Sequence, residues 1–175
     1  KGNDTKFKKI SMDLNTETIW QFAGLEDGRL VFWDDKIYIT GVRRDTTENG
    51  QGRMELSQLI DIQGTPKEIS RTRIEHPTDP NAYCEKNWMP VRDLPFHYIM
   101  DANPTRLVKA DPDTGDCELV YEGEKVSIPT TMRGSSQVLS YKGGFFTVVH
   151  DTNWWRFEGR CSENKDAIYS HRFVQ

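Results

Sequence analysis

Apolar and β-branched residues in this sequence come in short runs joined in pairs by tight polar turns. Helical spacing is nearly absent, since any stretch with apolar residues at i, i+3, i+4 and i+7 is soon broken by proline or glycine. The clearest pair is RLVFW-DD-KIYIT, residues 29–40, with Asp34 and Asp35 at its tip. MPVR-DLP-FHYIM (89–100) and SQVLSY-KGG-FFTVVH (136–150) repeat the pattern. Further strands are expected at MELSQLIDI (54–62) and on both sides of the DPDTGD turn in TRLVKADPDTGDCELVYE (105–122). The segments 46–53 and 75–83 read as polar loops. An all-β fold follows.

The hairpin tips fall near residues 35, 94 and 143. A repeat of about 40 to 60 residues, each supplying about four strands, is the spacing of β-propeller blades. Three blade-like units fit in the chain, which is read as a single β-propeller domain, residues 1–175, or part of one. A β-sandwich of similar strand count is the competing architecture. At 175 residues the chain is long enough for one domain with a real core.

Charge and composition narrow the partners. A net charge of −4 and a pI near 5.6 argue against a phosphate-backbone binder, so nucleic acid is not expected. No run approaches the roughly 18 to 20 apolar residues of a membrane span. The start, KGNDTKFKK, is basic but leads into no apolar stretch, so no targeting segment is expected. Its first residue is Lys rather than Met, as in a processed chain or a fragment. Cys84, Cys117 and Cys161 lie far apart with no metal-ligand spacing, which favours free thiols, a reducing compartment and hence a cytoplasmic location. One disulfide with a third free thiol is the alternative. Asn3-Asp4-Thr5 fits a glycosylation acceptor, a triplet common by chance.

Polar groups gather at comparable points of the three units. Ahead of the first hairpin stand Glu26, Asp27 and Arg29; ahead of the second, Lys86, Asn87 and Trp88; ahead of the third, Arg133, Ser135 and Ser136. Each has an ordinary structural reading: Asp27 as a turn carboxylate, Lys86 as a solvated cation, Arg133 as a partner for a nearby acid, His150 as a strand-end imidazole, and Trp88, Trp154 and Trp155 as packing residues. Together they describe a pocket with one carboxylic acid, several cations and an amide. Such a set can protonate a departing oxygen while holding an anion opposite it. Most glycosidases instead use a second carboxylate to activate water. Asp34-Asp35 and residues 111–116 lack the oxygen-ligand count that Ca²⁺ demands, so no metal site is expected.

Three of these stretches resemble the five-bladed β-propeller mannoside phosphorylases and the related β-1,2-mannosyltransferases. GLEDGRLVFWDDKIYIT is similar to that group's Glu-Asp-Pro-Arg pattern and following strand pair, with Gly28 where the pattern has Pro. CEKNWMPV resembles its Lys-Asn-(aromatic)-x-Pro stretch, and RGSSQVLSYKGGFFTVVHD its small-residue segment leading to a hairpin and a terminal His. The resemblance implies Asp27 as general acid and Arg29 beside it on sugar or phosphate. It implies Lys86, Arg133 and His150 as phosphate-binding cations, with Asn87 on a sugar hydroxyl. An acid in that role must carry its proton at the working pH.

The expected function is therefore a carbohydrate-active propeller that makes or breaks a glycosidic bond on mannoside-like sugars. Either an inverting glycoside phosphorylase or a glycosyltransferase fits, with inorganic phosphate or a nucleotide sugar as co-substrate and no other cofactor. A non-catalytic glycan- or protein-binding propeller module of a larger protein is the alternative from a different class, and a purely structural β-domain is a third.

Overall fold

The computed structural model describes Ile10, Met12 and residues 18–62, 65–155 and 166–175, without the side chains of 61, 62, 65, 155 and 166. The expectations for Cys161, for the Asn3-Asp4-Thr5 triplet and for the Trp155 ring lie outside the described residues. Among the described residues every regular element is a β-strand, and no helix is long and apolar enough to cross a membrane. Cys84 and Cys117 are both free thiols.

Three four-stranded antiparallel sheets follow one another along the chain. The first holds β1 (Leu25–Trp33), β2 (Lys36–Arg43), β3 (Arg53–Ile62) and β4 (Thr65–Arg73), paired in chain order. The second holds β5 (Met89–Pro90), β6 (His97–Ala102), β7 (Thr105–Ala110) and β8 (Cys117–Glu122), again in chain order. In the third, β9 (Arg133–Gly134) and β10 (Leu139–Tyr141) both pair with β11 (Gly144–Trp155), which pairs in turn with β12 (Asp166–Val174). The chain divides into two compact units, residues 1–86 with 110–117, and residues 87–109 with 118–175.

Turn chemistry sets the register of the hairpins. Asp34 and Asp35 have φ of 49° and 58°, and Lys142 and Gly143 have φ of 47° and 78°. Two successive left-handed residues make the primed turn whose twist matches that of the flanking strands. Trp33 then pairs with Lys36, and Tyr141 with Gly144. The middle hairpin departs from expectation, because β5 is only two residues long and the chain turns over 92–96 rather than over a three-residue tip. In the DPDTGD turn, Asp111 Oδ1 accepts hydrogen bonds from the amides of Asp113 and Thr114, both at 2.8 Å. That short-range carboxylate capture closes the loop between β7 and β8.

The first sheet buries different chemistry on its two faces. One face packs Val31, Trp33, Tyr38, Val42, Met54 and Leu56. On the other, Glu55 lies among three arginines, with Arg43 Nε at 3.0 Å, Arg73 Nη1 at 3.7 Å and Arg71 Nε at 3.9 Å. Arg71 also grips Glu68 through two nitrogens, at 2.8 and 2.6 Å, and Arg43 lies 3.5 Å from Asp45. Asp45 in turn anchors the segment before β1, accepting hydrogen bonds from the Gly24 amide at 2.8 Å and the Thr18 hydroxyl at 3.3 Å. In the second unit the core is Met89, Val91, Ala102, Met132, Val138 and Val149. Asn103 pins the following loop there by accepting from the Val126 amide and donating to the carbonyls of Val126 and Ile128.

Burial pushes the Glu55 carboxyl up from its ordinary range, against the downward pull of Arg43, Arg71 and Arg73. A carboxyl raised in the folded state favours its protonated form there. Its contribution to stability is thus complete below the unfolded-state pKa and is lost as pH rises through the folded-state one. Urea unfolding of the native chain and of Glu55→Gln across the acid-to-neutral range should show the native chain gaining relative stability as pH falls. The gain is about 1.4 kcal/mol for each unit by which the pKa is raised. Parallel curves would mean that the ionisation of Glu55 is not coupled to folding.

Candidate functional site

Asp27 and Arg29 lie inside β1 rather than ahead of it. Glu26 pairs with Val42 and Arg29 with Thr40, so Asp27 and Gly28 together oppose Gly41 in a β-bulge. The bulge gives Asp27 a φ of 53° and leaves its side chain exposed. Gly41 is required opposite it, because a Cβ there would meet the Glu26 carbonyl oxygen at 2.5 Å. Arg29, two residues on, is half-buried. Burial pushes its guanidinium pKa down, and the Asp27 carboxylate opposes this more weakly. A bulge at this point re-aims the acid out of the pleat and keeps a cation within its field.

Lys86 is exposed in the loop that leads to β5, and it belongs to the same compact unit as Asp27 and Arg29. Asn87, Arg133 and His150 belong to the other. Asn87 is buried with a φ of 65°. Its carbonyl oxygen packs so closely on Gly134 that a Cβ at that position would run into it and into the Met89 side chain. That contact holds Asn87 next to Arg133.

Arg133 and His150 are cross-strand partners between β9 and β11. The Arg133 guanidinium donates to the carbonyls of Thr130 and Met132, each at 3.2 Å, which orients an otherwise exposed cation. His150 Nδ1 lies 2.7 Å from the Ser135 hydroxyl. On its other side the His150 ring meets Tyr169 at 5.6 Å and His171 at 6.1 Å between centroids. The third sheet therefore gathers an arginine, two imidazoles, a serine hydroxyl and a phenol on one surface. Such a set can bind anionic or hydroxyl-rich ligands.

Sequence reasoning put Asn87 in the second repeat and Arg133 and His150 in the third, around a pocket shared with Asp27, Arg29 and Lys86; the structure places Asn87, Arg133 and His150 in one compact unit, and the sequence reading missed Tyr169 and His171. Their signal was present: Tyr169, His171 and Phe173 alternate with intervening residues at the two-residue period of a strand. Ser135 was singled out, but not as the partner of His150. Among the described residues no three His, Cys, Asp or Glu side chains are placed to share a metal ion.

Against known proteins the chain shows a partial likeness. It is 33% identical over 61 residues to β-mannosyltransferase 2 of Komagataella phaffii, in each of two strains, CBS 7435 and GS115. The match covers 32% of this chain and 10% of the relative, so the chain spans only a small part of the curated relatives it matches. No family model and no solved structure matches it.

The Asn87–Gly134 contact makes a stability prediction. Gly134→Ala forces the two backbones apart and should destabilise the chain by about 1–3 kcal/mol in urea unfolding, the usual cost of overpacking. An unchanged midpoint would show that the contact does not hold Asn87 in place.

Proposed function

We propose that residues 1–175 form a carbohydrate-active β-propeller domain of the five-bladed type, or part of one, with about three blades represented. Its function is transfer of a glycosyl group, with mannoside-like sugars as substrates. The observation that carries this reading is the 33% identity over 61 residues to a β-mannosyltransferase. Three successive four-stranded antiparallel sheets support it, as does the grouping of Arg133, His150 and Ser135.

In this reading Asp27 exchanges the proton and the cations hold the phosphate. In the synthetic direction the acceptor hydroxyl attacks the anomeric carbon of a mannosyl phosphate or nucleotide sugar. Asp27 takes the hydroxyl proton directly or through a sugar hydroxyl, the new C–O bond forms, and the phosphate leaves with the electrons of the bond that breaks. Attack opposite to the leaving group inverts the anomeric centre. In reverse, phosphate is the nucleophile and Asp27 protonates the departing oxygen. Arg29 and Lys86, in the same compact unit as Asp27, neutralise the phosphate, and within the other unit the resemblance gives Arg133 and His150 a phosphate contact and Asn87 a sugar hydroxyl. Preorganised cations facing the developing charge supply the larger share of such catalysis. Transfer is preferred over phosphorolysis because the named relatives are transferases.

Mannose 1-phosphate and nucleotide-linked mannose, each offered with free mannosides as acceptors, test the reading by release of phosphate or nucleotide. Release should depend on the acceptor. Asp27→Asn should slow it by about 10²- to 10⁴-fold, the usual worth of a positioned acid or base. Turnover unchanged in Asp27→Asn would remove Asp27 from the chemistry, and no turnover with any donor would favour a glycan-binding module.

A further inference from the structure

Two successive arginines at the end of β2 part company. Arg43 turns to Glu55 and Asp45. Arg44 leaves on the other side together with Val42, since a Cβ on Gly52 would meet Val42 Cγ2 at 3.3 Å and Arg44 Cγ at 3.4 Å. The Arg44 guanidinium is then fixed both by its edge and by its faces. Its Nε donates to the Gly50 carbonyl at 3.0 Å and its Nη2 to the Tyr83 hydroxyl at 2.9 Å. Its Cζ lies 5.4 Å from the ring centroids of both Phe22 and Tyr83, within the range in which a guanidinium is attracted to an aromatic ring.

Each ring belongs to a segment that leads to a residue of the proposed chemistry. Phe22 stands five residues before Asp27. Around it the Ile19 amide donates to the Asp45 carbonyl at 2.9 Å, the Gly24 amide donates to the Asp45 carboxylate at 2.8 Å, and Trp20 packs on Gly50, where a Cβ would run into its ring. Tyr83 stands three residues before Lys86. Its carbonyl accepts from the Gly52 amide at 2.8 Å, and the Glu85 amide donates to the Gly52 carbonyl at 2.9 Å. This close approach needs a glycine, because a Cβ on Gly52 would also meet Cys84 Sγ at 2.7 Å. Phe22, Asp27, Arg44, Tyr83 and Lys86 all belong to one compact unit.

We propose that Arg44 is a positioning residue that ties the segment carrying Asp27 to the segment carrying Lys86, so that acid and cation keep one spacing. The inference rests on the transfer reading above and adds to it a residue that acts through two segments rather than on the substrate. A guanidinium suits this task because its plane offers two faces and a fork of donors at once. An ammonium in its place keeps the charge and loses that geometry. Misplacement of a reacting group by about 1 Å can cost about 10²-fold in rate. A link of modest strength therefore bears on turnover far more than on stability.

Arg44→Lys, Phe22→Leu and Tyr83→Leu test the proposal in two ways. In mannosyl transfer, Phe22→Leu should act mainly on kcat, through Asp27, and Tyr83→Leu mainly on the donor KM, through Lys86. Arg44→Lys should lower kcat and raise the donor KM together, each by about tenfold. Mere loss of folded protein would lower kcat and leave KM unchanged. In urea unfolding, the effects of Phe22→Leu and Tyr83→Leu should be coupled, the double variant departing by about twofold to fivefold in unfolding constant from the product of the single effects. That coupling should vanish in the Arg44→Lys background. Full activity of Arg44→Lys, a fall in its kcat at unchanged KM, or ring effects that simply multiply overturns the proposal. Coupling that needs Arg44, without transfer from any donor, would sustain the tie between the segments and remove the transfer reading instead.

Discussion

Peptide groups in an all-strand region have no partners within their own element, so each must find one across a ladder. Register is then the constraint on which everything else rests, because a slip of one residue would exchange the two faces of a sheet. In the first sheet such a slip would move Glu55 and its arginines onto the apolar side and Val42 and Met54 onto the charged one. Two primed turns, at Asp34-Asp35 and Lys142-Gly143, hold the hairpins against it. The bulge at Asp27 and Gly28 is the counterpart, a deliberate extra residue that bends β1 without shifting the pairs on either side of it out of phase with their faces.

Charge burial in the first sheet is unusual in extent. Arg43, Arg53, Glu55 and Glu68 are all nearly inaccessible. Removing charges from water costs more than an isolated pair returns, so such groups persist where several partners share them. Glu55 meets three arginines, and Arg43 and Arg71 each meet two acids. Arg53 is held differently, by the carbonyls of Gly52, Pro80 and Ala82. One arginine thus organises the long loop before β5, while the others organise the sheet and, through Asp45, the segment ahead of it.

Strands that carry apolar or aromatic residues around a short turn were legible in the sequence, as at 29–40 and 105–122. β4 was not, because Thr-Pro-Lys-Glu-Ile-Ser-Arg-Thr-Arg reads as a polar loop. Its inward residues, Glu68 and Arg71, pair with charges across the sheet instead of entering an apolar core, and pattern arguments built on hydrophobic alternation do not register that. β12 escaped for a related reason: its alternating residues face outward. At the candidate site the residue types were readable and their neighbours in sequence were too. The bulge that lifts Asp27 and the close backbone contact at Gly134 were not, since both depend on the strand lying opposite.

Among the described residues, strand order gives β12 a hydrogen-bonded neighbour on one side only. An outer strand that is exposed along nearly its whole length is a template for pairing with another chain, unless charge or proline interrupts it. β4 carries Pro66 and Lys67, and β8 has Glu118 and Glu122 near its ends. Between Ala167 and Val174, β12 has Arg172 as its one permanently charged residue. The outer strands of the other two sheets are thus guarded by their own side chains, whereas β12 depends on Arg172 to keep a second strand from adding to its edge.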